Sequence, residues 1–206
     1  AAVYRPADNT LAFSTANTER MRINNNGRVG IGTTSPARIL HVENDGLADL
    51  LLRDTSSYSV GTGPAVIFQG KDSGGTTTQF GAIYGVSNGS NSGELTFETR
   101  NSGSSAERMR IDSSGNVGIG VTPLGSSSGA FTQLQIGGGS GQSTLFGQSN
   151  DHAIGMVSGA YYDASNNLKY SATSLRGLSR LYLYDGTFQF ANAPSGTGGA
   201  TATLTE

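Results

Sequence analysis

An internal repeat constrains the fold of this 206-residue chain more than any other feature of its sequence. The segment Glu19-Arg20-Met21-Arg22-Ile23 recurs as Glu107-Arg108-Met109-Arg110-Ile111. Val29-Gly30-Ile31-Gly32 recurs at the same offset as Val117-Gly118-Ile119-Gly120. Self-similarity at a fixed spacing is typical of proteins built from stacked modules, and the spacing predicts modules of about 90 residues.

Shorter similarities set the module boundaries. Leu11-Ala12-Phe13 precedes the first signature, Leu95-Thr96-Phe97 precedes the second, and Phe188-Gln189-Phe190 has the same pattern. Thr205-Glu206 then matches Thr18-Glu19, and Leu40-His41-Val42 matches Leu134-Gln135-Ile136. We therefore expect the end of a preceding segment (1–10), two β modules (11–94 and 95–187) and the start of a third (188–206).

Each module is predicted to be all-β. Apolar and charged residues alternate in both signatures, a period of two that indicates half-buried strands. The Asn- and Ser-rich stretches that end at Gly27 and Gly115 indicate turns in which glycine adopts a positive φ. Further strands are predicted at 50–53, 65–69, 80–86 and 95–99, whereas helix signals at 47–53 and 165–168 are weak. A β-prism, a β-helix and β-sandwich-like modules all fit this pattern.

The composition favours a core that is completed by other copies of the chain. Hydrophobic residues make up 35% and glycine accounts for 31 residues, so large apolar side chains are few. The net charge of −2 is too small for self-repulsion to keep the chain unfolded. Small modules with modest cores commonly need oligomerisation for stability.

Composition also excludes several classes of function. With no cysteine there are no disulfides, thiolate metal sites or thiol nucleophiles. The chain has no run of apolar residues long enough to span a membrane and no basic cluster typical of nucleic-acid binding.

The repeated signatures are predicted to mediate assembly. In Val29–Gly32 and Val117–Gly120 the β-branched residues share one face, and the glycines on the other face allow close approach of a second backbone. We expect the apolar members to face an interior shared between chains. The predicted assembly residues are Met21, Ile23, Val29, Gly30, Ile31, Gly32, Met109, Ile111, Val117, Gly118, Ile119 and Gly120.

The phrase Glu-Arg-Met-Arg-Ile, a glycine turn and Val-Gly-Ile-Gly-Thr-Thr-Ser-Pro resembles the repeats of bacteriophage tail fibre and tailspike shafts. Such repeats often precede intramolecular chaperone domains of the endosialidase type. The resemblance covers residues 11–42 and 95–136 well, and it implies an elongated homotrimeric shaft in a virion. Its implied role is structural and adhesive, with other fibre or baseplate proteins and a host surface glycan as partners. The alternatives are a glycan-degrading tailspike fragment and a bacterial surface stalk or adhesin.

Residues suited to catalysis or metal binding are sparse, and we predict neither an enzyme nor a bound cofactor or metal. Two Gly-x-Ser-x-Gly matches, at 85–89 and 125–129, lie in Gly/Ser-rich stretches without the helix that a nucleophile elbow requires. His41, Glu43 and Asp45 would share a strand face suited to a divalent metal, but a solvated strand face fits them better. No spacing singles out a catalytic pair of carboxylates among Glu94, Glu98, Asp151 and Asp163.

Aromatic and basic side chains are the remaining candidates for ligand contact. Tyr161, Tyr162, Tyr182 and Tyr184 could stack on sugar rings, although packing inside a trimer is the favoured interpretation. The paired arginines of both signatures are predicted to form ion pairs with a neighbouring strand or subunit. Either Glu98 or Glu107 is the expected partner.

Overall fold

A computed structural model describes most of the chain. It describes all residues except 45, 47–49, 54, 56–58, 90, 125–130, 139–140, 149–152, 164, 166, 171–177, 185–186 and 206. The side chains of residues 131, 138, 141, 142, 148, 153, 162 and 184 are also outside the description. Every helix or strand in the described part is a β-strand, which confirms the predicted all-β class. None of the described residues forms a helix that could cross a membrane.

The chain divides into two compact units, residues 1–52 and 53–206. The first unit is a single sheet with the order β1-β2-β3-β4-β5. Its strands are β1 (Ala2–Tyr4), β2 (Leu11–Thr15), β3 (Thr18–Ile23), β4 (Val29–Ile31) and β5 (Leu40–Val42). This division falls at a different point from the predicted module boundaries, which follow the sequence repeat and stay a prediction.

The second unit contains a ten-stranded sheet with the order β17-β16-β13-β12-β11-β10-β9-β8-β7-β6, and a separate pair β14-β15. The first six strands are β6 (Ala65–Lys71), β7 (Thr77–Ser87), β8 (Gly93–Asn101), β9 (Ser104–Ile111), β10 (Val117–Ile119) and β11 (Phe131–Gly138). The last six are β12 (Gly141–Gln148), β13 (Ala153–Ser158), β14 (Ala160–Tyr162), β15 (Leu168–Tyr170), β16 (Leu178–Tyr184) and β17 (Thr187–Ala193).

The two units share a four-strand pattern that follows the sequence repeat. In both, two antiparallel pairings are followed by one parallel pairing, in the orders β2-β3-β4-β5 and β8-β9-β10-β11. A β-bulge after Phe13 recurs after Phe97. Gly30 lies opposite His41, and Gly118 lies opposite Gln135. The sequence match between Leu40-His41-Val42 and Leu134-Gln135-Ile136 therefore corresponds to equivalent strands.

One type of turn closes both signatures. Gly27 and Gly115 have φ values of +72° and +84°, as the glycine pattern predicts. Their amides donate to the carbonyls of Asn24 and Asp112, at 2.9 and 3.0 Å. The side-chain oxygen of Asn24 or Asp112 accepts two further backbone amides and fixes the turn.

The main apolar core lies in the second unit, toward the C-terminus. Phe146 and Val157, on β12 and β13, pack with residues of β14 to β17. The buried members are Phe146, Val157, Ala160, Leu168, Tyr170, Leu178 and Ala193. The Tyr170 hydroxyl donates to the Pro194 carbonyl at 2.6 Å, so its polar end is satisfied.

Three predicted strands are confirmed, since 65–69, 80–86 and 95–99 lie within β6, β7 and β8. The predicted strand at 50–53 is wrong: these residues have no regular structure, and Leu50, Leu51 and Leu52 are exposed. Three consecutive leucines lack the alternation that fixes a half-buried strand in register. The weak helix signal at 165–168 does not lead to a helix in the described residues, in line with the all-β prediction, and Leu168 begins β15.

Candidate assembly face

The ten-stranded sheet carries a continuous apolar face. Two rows of directly opposed residues cross its strands, and we call these rows the apolar face. The first row is Leu95, Ile111, Val117, Leu134, Leu145, Met156, Leu181 and Phe190, one residue from each of eight neighbouring strands. The second row is Val66, Ile83, Phe97, Met109, Ile119 and Ile136.

Every residue of the apolar face is exposed or half-buried, whereas the buried residues of the same strands lie on the opposite face. On β11, Gln133 and Gln135 are fully buried, while Leu134 between them is half-buried and Ile136 beyond them is 51% exposed. On β12, Thr144 is buried and Leu145 is exposed, and on β13, Met156 is exposed. A soluble sheet with one wet face normally has the opposite arrangement, with apolar residues inside and polar residues outside.

The first unit repeats this arrangement on a smaller scale. Its apolar residues form two rows on one face, and all of them are exposed or half-buried. The rows are Leu11, Ile23, Val29 and Leu40, and Val3, Phe13, Met21, Ile31 and Val42.

Gly30 and Gly118, the central glycines of the signatures, are buried on the covered face beneath the chain's own backbone. A Cβ atom added to Gly30 would lie 2.6 Å from the Thr33 carbonyl oxygen. At Gly118 it would overlap the Val121 carbonyl oxygen and the Pro123 ring. Gly32 and Gly120 have positive φ and are similarly overlaid, by the backbone of Glu43 and Gly137. The glycines thus let the crossover between two parallel strands lie directly on the sheet.

Side chains opposite these glycines hold the crossovers in place. Gln135 accepts the Leu124 amide at 2.8 Å with Oε1, and its Nε2 donates to the Leu124 carbonyl. His41 is at the equivalent position, where its Nδ1 accepts the Ala37 amide at 3.4 Å. His41 therefore has a structural contact in the fold. Asp45, the third residue of the proposed metal set, lies outside the described residues, and no group of three metal-binding side chains occurs among those described.

An ion-pair network occupies the covered face of β8 and β9. Arg110 donates to Glu107 through Nε at 2.9 Å and Nη2 at 2.6 Å, and it also pairs with Glu94. Glu94, whose side chain is only 8% exposed, accepts from Asn88 at 2.5 Å as well. The two carboxylates raise the pKa of Arg110, with Glu107 as the main cause. Glu107 is thus a partner, but it lies on the same strand as Arg110, and the partner on the neighbouring strand is Glu94 rather than Glu98.

Replacing Arg110 by Met is expected to destabilise the fold by about 2–3 kcal/mol, because it leaves the nearly buried Glu94 and the partly exposed Glu107 without their counter-charge. Chemical denaturation measures this loss. Adding Glu94→Gln and Glu107→Gln to Arg110→Met should recover most of it, since no buried charge then remains uncompensated. An Arg110→Met chain as stable as the parent would show that the network does not hold β8 and β9 together.

The first unit has the corresponding pair. Arg22 donates to Glu19 through Nε at 2.5 Å and Nη2 at 2.8 Å, and its Nη1 donates to the Thr34 carbonyl at 2.8 Å. The hydrogen bonds from Arg22 hold the pKa of the Glu19 carboxyl below its ordinary value. The hydroxyl of Tyr4 also donates to Glu19, and this bond raises the pKa of Tyr4.

Lowering the pH should therefore reduce the stability of the first unit as Glu19 becomes protonated. Because the pKa of Glu19 is lower in the folded state, its ion pair contributes full stability above the unfolded-state pKa. That contribution is lost as the pH falls through the lower, folded-state pKa. We expect carbon NMR of the Glu19 carboxyl to report the depressed pKa and Arg22→Met to raise it. An unchanged titration in Arg22→Met would contradict this assignment.

The tyrosines proposed for glycan contact are only partly described. The Tyr182 ring lies on the covered face, and its centroid is 5.9 Å from the centroid of the Phe146 ring. The guanidinium carbon of Arg180 lies 4.9 Å from the centroid of the Tyr182 ring. Tyr161 is half-buried on β14. The side chains of Tyr162 and Tyr184 lie outside the described residues. Glycan contact by these residues stays a prediction.

The residues considered for catalysis also have local contacts. Ser87 ends β7. Its amide donates to the Thr62 carbonyl, and its carbonyl accepts the Gly61 amide, both at 2.9 Å. Asp163 accepts two backbone amides at 2.9 Å within a turn, and these bonds lower its pKa. The second Gly-x-Ser-x-Gly match and Asp151 lie outside the described residues.

Six of the eight residues in the first row of the apolar face were not among the predicted assembly residues. Leu134, Leu145, Met156 and Leu181 belong to it, yet none is part of a repeated signature. The available signal was the alternation of these residues with Gln133, Gln135 and Thr144, because strict alternation marks the two faces of a strand.

Comparison with known proteins gives no relative. No family model matches the chain, and no curated protein matches it.

Proposed function

We propose that this chain is a structural and adhesive segment of a bacteriophage tail fibre or spike, assembled as a homotrimer. One observation carries the proposal: every residue of the apolar face is exposed or half-buried, while glutamine and threonine side chains on the same strands are buried. A partner that covers this face would turn it into a core, and further copies of the same chain are the partners that the sequence resemblance implies.

The size of the apolar face supports a stable interface. At a spacing of about 4.8 Å between strands, the first row spans eight strands and the second row spans six, and each row covers about 7 Å along the strands. This gives a flat area of roughly 500 Å², before side-chain relief and the corresponding face of the first unit are added. A standard interface buries about 800 Å² on each partner.

The repeat supports an elongated arrangement. Both units present the same strand order and register with an apolar face, so symmetry-related copies could bury each unit in the same way. In such a shaft the modules at 11–94, 95–187 and 188–206 follow one another along the fibre. Main-chain hydrogen bonds and symmetric packing would make it rigid. Its place is the virion, with fibre or baseplate proteins and a host surface glycan as further partners.

Small-angle X-ray scattering of the purified protein tests this arrangement. We expect the scattering of a rod whose cross-section accommodates three chains, and electron microscopy should show short rods of uniform width. Compact particles with a single chain would contradict the proposal.

A further inference from the structure

The outer edge of β17 forms one bridge of a strand pairing that the chain completes twice, between β2 and β3 and between β8 and β9. β17 ends the ten-stranded sheet and pairs with β16 on one side. On its other side, the described residues contribute one bridge: Asn192 and Thr205 exchange backbone hydrogen bonds of 3.0 and 2.8 Å. Backbone groups alternate in direction along a strand, so the amides and carbonyls of Phe188 and Phe190 point to the same edge as those of Asn192.

The register of this bridge matches that of the two complete pairings. When Phe188-Gln189-Phe190 is aligned with Leu11-Ala12-Phe13, Asn192 falls on Thr15 and Thr205 falls on Thr18. Thr15 and Thr18 are partners in the β2–β3 hairpin. In the second unit the equivalent partners are Thr99 and Ala106. The bridge therefore places Thr205 at the position that Thr18 holds on β3 and that Ala106 holds on β9.

The side chains at this edge also lack their usual partners. Phe13 lies opposite Met21 and Leu11 opposite Ile23, and the β8–β9 pair repeats this match. Phe190 and Phe188 hold the equivalent places on β17, and they are 72% and 70% exposed. Phe190 also ends the first row of the apolar face, so a strand beside it would lengthen that row.

We propose that the open edge of β17 is an acceptor site for one further antiparallel strand of the Thr-Glu-Arg-Met-Arg-Ile type. The strand continues the path that Thr205 begins, with its Met opposite Phe190 and its Ile opposite Phe188. Backbone hydrogen bonds supply the affinity, and the alternating apolar side chains set the register. This site is independent of the proposed trimer, because it follows from pairing within one chain.

An extended chain tests the acceptor site. Residues 20–31 are copied and added after Glu206, and amide hydrogen exchange is followed by NMR at low protein concentration. We expect exchange at the amides of Phe188 and Phe190 to slow at least tenfold. The matched control carries Asp in place of the added copies of Met21 and Ile23. In this control the amides of Phe188 and Phe190 should exchange as in the unextended chain.

Equal exchange in the extended chain, its control and the parent would overturn the proposal. Protection that appears only as protein concentration rises would also overturn it, since the strand would then come from another copy. The readout does not depend on the number of chains in the particle, so a monomeric protein could still show it. Conversely, a trimer in which the Phe188 and Phe190 amides of the extended chain exchange no more slowly would contradict the acceptor site but not the proposed function.

Discussion

Replacing Ile136 by Glu is expected to abolish assembly while leaving each chain folded. Ile136 lies in the second row of the apolar face and is 51% exposed in the single chain, so the substitution leaves the buried face untouched. In the proposed trimer the carboxylate would be buried among apolar side chains, which costs several kcal/mol for each copy. Size exclusion with light scattering should give the mass of one chain, and the far-UV circular dichroism should be unchanged.

Ile67→Glu is the matched control for this change. Ile67 is the same residue type, is 54% exposed and lies on β6, where it points to the opposite face from Val66. The same charge placed there should leave assembly intact. If both variants assemble like the parent, or if both fail, the apolar face is not the interface.

Replacing Gly118 by Val is expected to destabilise the second unit by about 3 kcal/mol or more, since overpacking beside rigid backbone is costly. The new side chain would meet the Val121 carbonyl and the Pro123 ring, neither of which can rotate away. The crossover would have to lift from the sheet, and Gln135 would lose its hydrogen bonds to Leu124. Thermal unfolding, followed by near-UV circular dichroism, measures the effect.

Gly147→Val controls for the added side chain itself. Gly147 lies within β12, and a Cβ there would have no atom within 4 Å. Valine favours strands, so stability should change by less than about 0.5 kcal/mol. Measuring both variants in the Ile136→Glu chain removes any contribution from assembly. Equal stability of the two variants would contradict close packing of the crossover on Gly118.

The strands of the signatures could be predicted because their alternation, turn glycines and repetition agree with one another. The same logic identified Gly30 and Gly118 as places where another backbone comes close. It could not show that this backbone is the chain's own crossover, because Val121–Pro123 have no strand or helix pattern. Nor could it assign Glu94 to Arg110, since that pairing depends on the register between β8 and β9.

The extent of the apolar face was also beyond sequence reasoning. Leu145, Met156 and Leu181 join Val117 only through a chain of strand registers, and the order of those strands is a tertiary property. Alternation within one strand tells which residues share a face, but not which face is covered. Here the covered face combines buried glutamine and threonine with Phe146 and Val157, so residue polarity alone does not tell which face is covered.

The native mass of the purified protein tests the central claim most directly. Multi-angle light scattering after size exclusion should give three times the chain mass of 21.2 kDa, unchanged on tenfold dilution. That result would mean that the apolar face is buried between copies. A folded monomer of 21.2 kDa would contradict the account, because its exposed leucine, isoleucine and methionine side chains would then have no partner.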